Sequence, residues 1–371
     1  MSLNQYFVYA YLLIISCALS WALTRVMRMA AFRFNILDHP VGRKAHGAPM
    51  PLLGGAAIFI AFYVVVLVHL VALLLLQPYG PGWVDDKLTA MLGPDGGFKL
   101  AGILIAGVMI FLLGIIDDLH VLSPWMKLIG QIIIALVLAA FGLRIRMFIF
   151  NDPYTSTFAT VCWVVLIVNS MNLLDNMDGL SGGVSIIAAA TFFLCVQPFD
   201  TYLMVRVLLV IFAGAVVGFL WHNLPPATIF MGDSGAMFNG YFLATVAVVG
   251  TFHLEGASPR IAVVAPVMAL SVPLFDTLSV IYIRWRNGDS IMLGDKRHFS
   301  HRLVEVGMRP AMAVYFIFMV AGLVGLNGAL LPYLNMGGTV IIMAQTGGIF
   351  LLIVLLMNAG KKNGADQDSG E

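Results

Sequence analysis

The chain has 371 residues, 60% of them hydrophobic and 11% charged, with a net charge of +1 and a mean hydropathy of +0.95. A soluble domain carries about 25% charged residues, so this composition excludes one and specifies a polytopic membrane protein. The near-neutral balance gives no sign of a nucleic-acid partner, and Cys17, Cys162 and Cys195 all lie in apolar runs, indicating neither a disulfide framework nor a metal cluster.

A helix needs roughly 20 apolar residues to span a bilayer. Eleven runs approach that length: 6–27, 52–76, 99–116, 126–142, 157–172, 182–197, 204–221, 237–253, 261–283, 311–331 and 339–358. Several are short, so the expected fold is an all-α bundle of ten or eleven transmembrane helices. The first run has its basic residues (Arg25, Arg28, Arg33) after it rather than before, unlike a secretory signal, and is read as a retained helix. Residues 1–358 form one transmembrane domain, and 359–371 a polar tail expected to be disordered. Leu143–Phe150 is read as a short strand, and Pro266 and Pro273 as interruptions of the ninth helix.

Placing the N-terminus outside puts fourteen of the twenty Lys and Arg residues on the inner side, so the expected orientation is N-out, C-in. The polar residues then gather on the inner side. Asp117-Asp118 ends the third run, and Lys127 follows Ser123-Pro124, a turn that starts the fourth helix. Two adjacent carboxylates read either as a solvated helix end or as a pair relieved by a cation. Asn169, Asn172, Asp175 and Asp178 recur every three residues and would line one face of a continuing helix, with oxygen donors suited to Mg²⁺ or Mn²⁺. Phe230-Met-Gly-Asp-Ser-Gly235 reads as a turn opening a helix. Asp233 is there either an N-cap or a metal ligand, and the first N–H groups would face an anion. The loop Arg284–Arg309 carries His298, His301 and Arg302, and the first inner loop carries Arg43, Lys44 and His46; both suit a phosphate and both also serve positive-inside topology. Asp276, after the prolines, reads equally as structural or functional. The acidic junctions together are read as one membrane-surface site for phosphates and a divalent metal.

Four blocks in this order resemble the polyprenyl-phosphate N-acetylhexosamine-1-phosphate transferases: Arg43-Lys-Ala-His with Pro51-Leu-Leu-Gly-Gly55; Gly114-Ile-Ile-Asp-Asp118 with Lys127; Asn169 with Asn172-Leu-Leu-Asp-Asn-Met-Asp-Gly-Leu180; and Phe230-Met-Gly-Asp-Ser-Gly235. The similarity runs from about Asp38 to Pro310. Val121 stands where the family often has a third Asp, and only His298 and His301 remain of its histidine motif. The sugar-specific branch is therefore nearer than the phospho-N-acetylmuramoyl-pentapeptide-transferases, which are kept as an alternative.

The resemblance implies transfer of an amino-sugar 1-phosphate, with UDP-N-acetylglucosamine the expected donor, to undecaprenyl phosphate with release of UMP. This would be the first membrane step of a cell-envelope polysaccharide such as lipopolysaccharide, run at the cytoplasmic face of a bacterial inner membrane. Asp233 would lead an Mg²⁺ site (Mn²⁺ as a substitute) with Asn172 assisting. Asp117, Asp118 and Lys127 would act on the lipid phosphate, and His298, His301 and Arg302 on the pyrophosphate. Lys44, His46, Asn169, Asp175 and Asp178 would bind substrate. A homodimer is left open. The rival from another class is an anion or nucleotide-sugar transporter. It is disfavoured because the polar clusters lie at helix ends rather than at the midplane, and no internal repeat is evident.

Overall fold

The computed structural model describes residues 3–39, 49–77, 83–146, 152–250, 259–289 and 297–368. They fold as a bundle of helices: α1 (Leu3–Arg33), α2 (Gly54–Leu76), α3 (Trp83–His120), α4 (Pro124–Ala140), α5 (Pro153–Leu174), α6 (Leu180–Val196), α7 (Leu203–Asn223), α8 (Gly232–Gly250), α9 (Pro259–Ala269), α10 (Ser271–Asn287), α11 (Phe299–Glu305), α12 (Pro310–Leu330) and α13 (Met336–Asp368). Each of the eleven apolar runs is a helix, the ninth being split into α9 and α10. Among the described residues seven helices are long and apolar enough to cross a membrane, and α4 and α6 are shorter apolar helices. The apolar faces of α1 and α13, with Phe7, Ile14, Ile341 and Leu352 all more than half exposed, suit lipid rather than water. The chain is a multi-pass membrane protein.

The centre of the bundle is α8. Every residue from Ser234 to Val248 is buried, against α5, α3 and α2 above all. A helix buried on all sides meets protein rather than lipid, so it can carry Asn239, Tyr241 and Thr245. Tyr241 Oη donates to Ile103 O on α3 at 2.8 Å. Its neighbours approach through glycine. A Cβ on Gly55 of α2 would lie 2.2 Å from Gly235 N, and one on Gly114 of α3 would lie 2.4 Å from Ser234 Cα. The glycines of three motif blocks therefore let α2 and α3 close on the first turn of α8.

The ninth run breaks at Leu270, whose backbone (φ −109°, ψ 20°) leaves the helix between Ala269 and Ser271. Pro273 cannot donate to the carbonyl four residues earlier, at Ala269, which explains a break at this point. One expectation is corrected, over the part that is described. Residues 143–146 form no strand, and 147–150 of the expected strand lie outside the described residues; Ile145 N instead donates to Thr160 Oγ1 at 2.9 Å, and the strand pair found among the described residues is Leu37–Asp38 with Met50–Pro51. The backbone of α13 runs from Met336 to Asp368, into the first part of the polar tail.

Candidate active site

The turn from α3 to α4 builds the first half of the site. Ser123 caps α4, its Oγ accepting from Met126 N at 3.3 Å, with Pro124 in the first turn. Leu122 N donates to Asp117 Oδ1 at 2.7 Å and so folds the turn back on α3. Lys127, one turn into α4, thereby reaches Asp117 Oδ2, with which it pairs. The same ammonium lies 3.0 Å from Asp233 Oδ2 at the start of α8. Asn172, near the end of α5, donates through Nδ2 to Asp233 Oδ1 at 2.8 Å. Three separate motif blocks thus meet around one lysine.

Asp118 does different work from its neighbour. Its Oδ1 accepts Asp233 N at 2.7 Å and its Oδ2 accepts Ser234 N at 3.1 Å. The first free N–H groups of α8, expected to face a substrate anion, are occupied by this carboxylate, which caps the helix from another element. Gly232, with φ +74°, makes the turn that admits it, a conformation that disfavours a side chain. The start of α2 is satisfied in a related way, Gly54 N and Gly55 N donating to Phe230 O and Met231 O at 3.0 and 2.7 Å.

The site keeps excess negative charge: Asp117 and Asp233 share a single ammonium. The Asp117 side chain is 1% exposed, Lys127 24% and Asp233 35%, so the open side belongs to Asp233. Beyond the end of α5, burial together with the charges of Asp233, Asp118 and Asp178 pushes the Asp175 carboxyl up to about 8.

The chain aligns with curated proteins over most of its length. It is 30% identical over 343 residues to a protein of Bacillus subtilis (strain 168) named as a probable undecaprenyl-phosphate N-acetylglucosaminyl 1-phosphate transferase, covering 90% of this chain and 86% of that one. The chain belongs to the polyprenyl-phosphate N-acetylglucosamine-1-phosphate transferase superfamily. The decaprenyl-phosphate N-acetylglucosaminephosphotransferase of Mycolicibacterium smegmatis (strain ATCC 700084 / mc(2)155) is 29% identical over 359 residues, covering 89% and 84% of the two chains. The undecaprenyl-phosphate alpha-N-acetylglucosaminyl 1-phosphate transferase of Escherichia coli (strain K12) is 25% identical over 319 residues, covering 82% and 79%. Residues 100–251, which hold all the acidic junctions, match the model for glycosyl transferase family 4.

In this transferase the expected residues divide into four groups. Asp117, Asp118, Lys127, Asn172 and Asp233 are brought together. Asp175 and Asp178 do not continue a face of α5, because the helix stops at Leu174 and Asp175 is its C-cap. Asp178 Oδ2 instead accepts Ala227 N at 2.9 Å, and Gly179 N donates to Asn223 Oδ1 at 3.0 Å, so this turn is tied to the segment preceding α8. Asn169 turns to α4, its Nδ2 donating to Gln131 Oε1 at 2.6 Å. Lys44 and His46 lie outside the described residues.

The histidine segment is anchored to α10. His298 Nδ1 lies 2.9 Å from Asp276 Oδ2, Phe299 N donates to Asp276 Oδ1, and Arg302 Nη2 donates to Ser279 Oγ at 2.6 Å. His301 sits on α11 between these contacts and is partly buried. Ser300 Oγ donates to Asn176 Oδ1 and brings α11 to the turn that carries Asp175. Sequence reasoning missed Gln131, Asn176 and Ser300. Gln131 had a signal: it lies one turn beyond Lys127 on an otherwise apolar helix.

The donor set fits a hard divalent cation. It consists of carboxylate and amide oxygens with surplus negative charge. Mg²⁺ commonly takes one or two carboxylates and draws its other ligands from water and substrate phosphates. Among the described residues no group of three His, Cys, Asp or Glu could hold a metal alone. The arrangement suits an ion that arrives with phosphates rather than a closed protein cage.

Proposed function

We propose that the protein transfers N-acetylglucosamine 1-phosphate from UDP-N-acetylglucosamine to undecaprenyl phosphate, in an Mg²⁺-dependent reaction at the cytoplasmic face of a bacterial inner membrane. The observation that carries the reading is the sharing of Lys127 by Asp117 and Asp233, with Asn172 on Asp233. The names of the relatives support the amino sugar and a polyprenyl phosphate, either undecaprenyl or decaprenyl. The excess of Lys and Arg on one side supports the orientation.

In this reading an oxygen of the lipid phosphate attacks the sugar-bearing phosphorus of the UDP-sugar. The bond from that phosphorus to the bridging oxygen breaks, and UMP leaves with the electron pair. The acceptor phosphate is already largely dianionic near pH 7, its second pKa being about 6, so no strong base is required. Charge repulsion and alignment then dominate the barrier. Lys127 pairs with the incoming phosphate and fixes its distance from Asp233. Asp117 holds Lys127 in place and keeps it protonated. Asp118 sets the first turn of α8, so that Asp233 and Asn172 stand as ligands. When bound there, Mg²⁺ would neutralise pyrophosphate charge and ease the departure of UMP. Asp175 and the α11 segment would border the donor.

The test is UMP release by purified protein across a panel of UDP-sugars with Mg²⁺ and undecaprenyl phosphate. UDP-N-acetylglucosamine should be used best, and both Asp117→Asn and Asp233→Asn should lose most turnover. Full turnover in both folded variants refutes the site, and preference for the muramoyl-pentapeptide donor refutes the substrate.

A further inference from the structure

A cavity of about 610 Å³ opens at the end of the bundle away from the acidic site, between the start of the α3 span, the end of α4, the start of α7 and the end of α8. Its position follows from the helices that join the two sites. Lys99 lines the cavity and Asp117 lies eighteen residues further along α3, or about 27 Å at 1.5 Å per residue. A bilayer's hydrocarbon core is about 30 Å thick, so the cavity lies at the headgroup level of the opposite leaflet.

Four charged residues line it: Lys99, Arg144, Arg146 and Asp95. The cations outnumber the acid by three to one, and among the described residues no carboxylate pairs with any of the three. Arg144 Nε donates to Ala139 O at 2.8 Å, which binds the last turn of α4 and holds the guanidinium in place before any ligand arrives. The remaining wall is largely apolar. Phe98 and Phe141 lie with ring centroids 4.6 Å apart, and Val248 and Val249 of α8 complete the side toward the core.

A cationic mouth over an apolar wall, at headgroup depth, matches an amphiphile with a phosphate at its head. A free soluble anion would use the cations and leave the apolar wall without a partner. The size is in the range of small-ligand pockets, about 300–1,000 Å³. We propose that this cavity binds the phosphate headgroup of an anionic membrane phospholipid, with the first part of its acyl chains against Phe141 and Val248. Bound lipid joins α3, α4, α7 and α8 at the end remote from Asp233 and stabilises the folded chain.

The test is the melting temperature of the full-length protein in uncharged detergent, titrated separately with phosphatidylglycerol, with phosphatidylcholine of the same chains and with inorganic phosphate. Phosphatidylglycerol should raise it saturably, and the other two should not. Lys99→Gln with Arg146→Gln should weaken half-saturation roughly tenfold or more, while the intact Arg144–Ala139 bond preserves the fold. Asp233→Asn should respond as the parent does. An equal rise with phosphatidylcholine or with phosphate overturns the proposal, as does an unshifted half-saturation in the double variant or loss of the response in Asp233→Asn.

Discussion

Asp118→Asn separates a residue that acts through α8 from one that touches substrate. The carboxylate accepts two backbone N–H groups, at 2.7 and 3.1 Å, at the positive end of a helix. Asparagine keeps one acceptor and turns an NH₂ toward the other N–H. One charge-assisted bond is lost, worth about 1.5–3 kcal/mol, together with the charge–dipole attraction of up to about 2 kcal/mol. A loss of about 3 kcal/mol follows, which lowers the melting temperature by roughly 4 °C in a chain this long. Asp233→Asn is the comparison. Its side chain is 35% exposed and its removal leaves Asp117 paired with Lys127, so melting should change little. Both variants should lose UMP release. The assay is intrinsic fluorescence melting in detergent beside turnover on the same preparations. An Asp118→Asn protein that melts like the parent yet has no turnover would refute the capping role and place Asp118 on the substrate.

Gly55→Ala should destabilise the bundle by about 1–3 kcal/mol, because its Cβ would meet Gly235 N at 2.2 Å, while Gly322→Ala, with nothing within 4 Å, should melt as the parent does. Asp276→Asn should lower turnover and loosen α11, seen as faster amide exchange over 299–305, because His298 and Phe299 both bond this carboxylate; unchanged exchange would show that α11 is held elsewhere. Asp175 gives a pH dependence. Its folded pKa of about 8 lies above the ordinary 3.8, so the protonated form favours folding. That stability is present at low pH and falls as pH rises from about 4 through about 8. In chelator, melting should therefore drop between pH 5 and 8 with a slope that Asp175→Asn reduces; an identical slope in the variant would assign it to another group.

The helices were legible because a spanning segment must satisfy its own backbone and present apolar side chains over a fixed length. The split of the ninth run was visible in Pro266 and Pro273. The convergence of Asp117, Lys127, Asn172 and Asp233 was legible only as a set of polar residues at helix ends sharing one side. Their division of labour was not. That Asp118 caps α8 depends on a partner more than a hundred residues away, and no local pattern distinguishes it from Asp117. Asp178 and Asn169 kept the right spacing and received other partners, because α5 ends at Leu174 and α4 supplies Gln131. The cavity near Arg144 left no motif, since its walls come from four helices.

The most direct measurement is a double-mutant cycle on kcat/KM for UMP release with Asp117→Asn and Asp233→Asn. If both carboxylates work through Lys127 as one unit, the double variant should lose about as much as the worse single variant. Losses that multiply would mean that the two act independently, and would contradict the shared site.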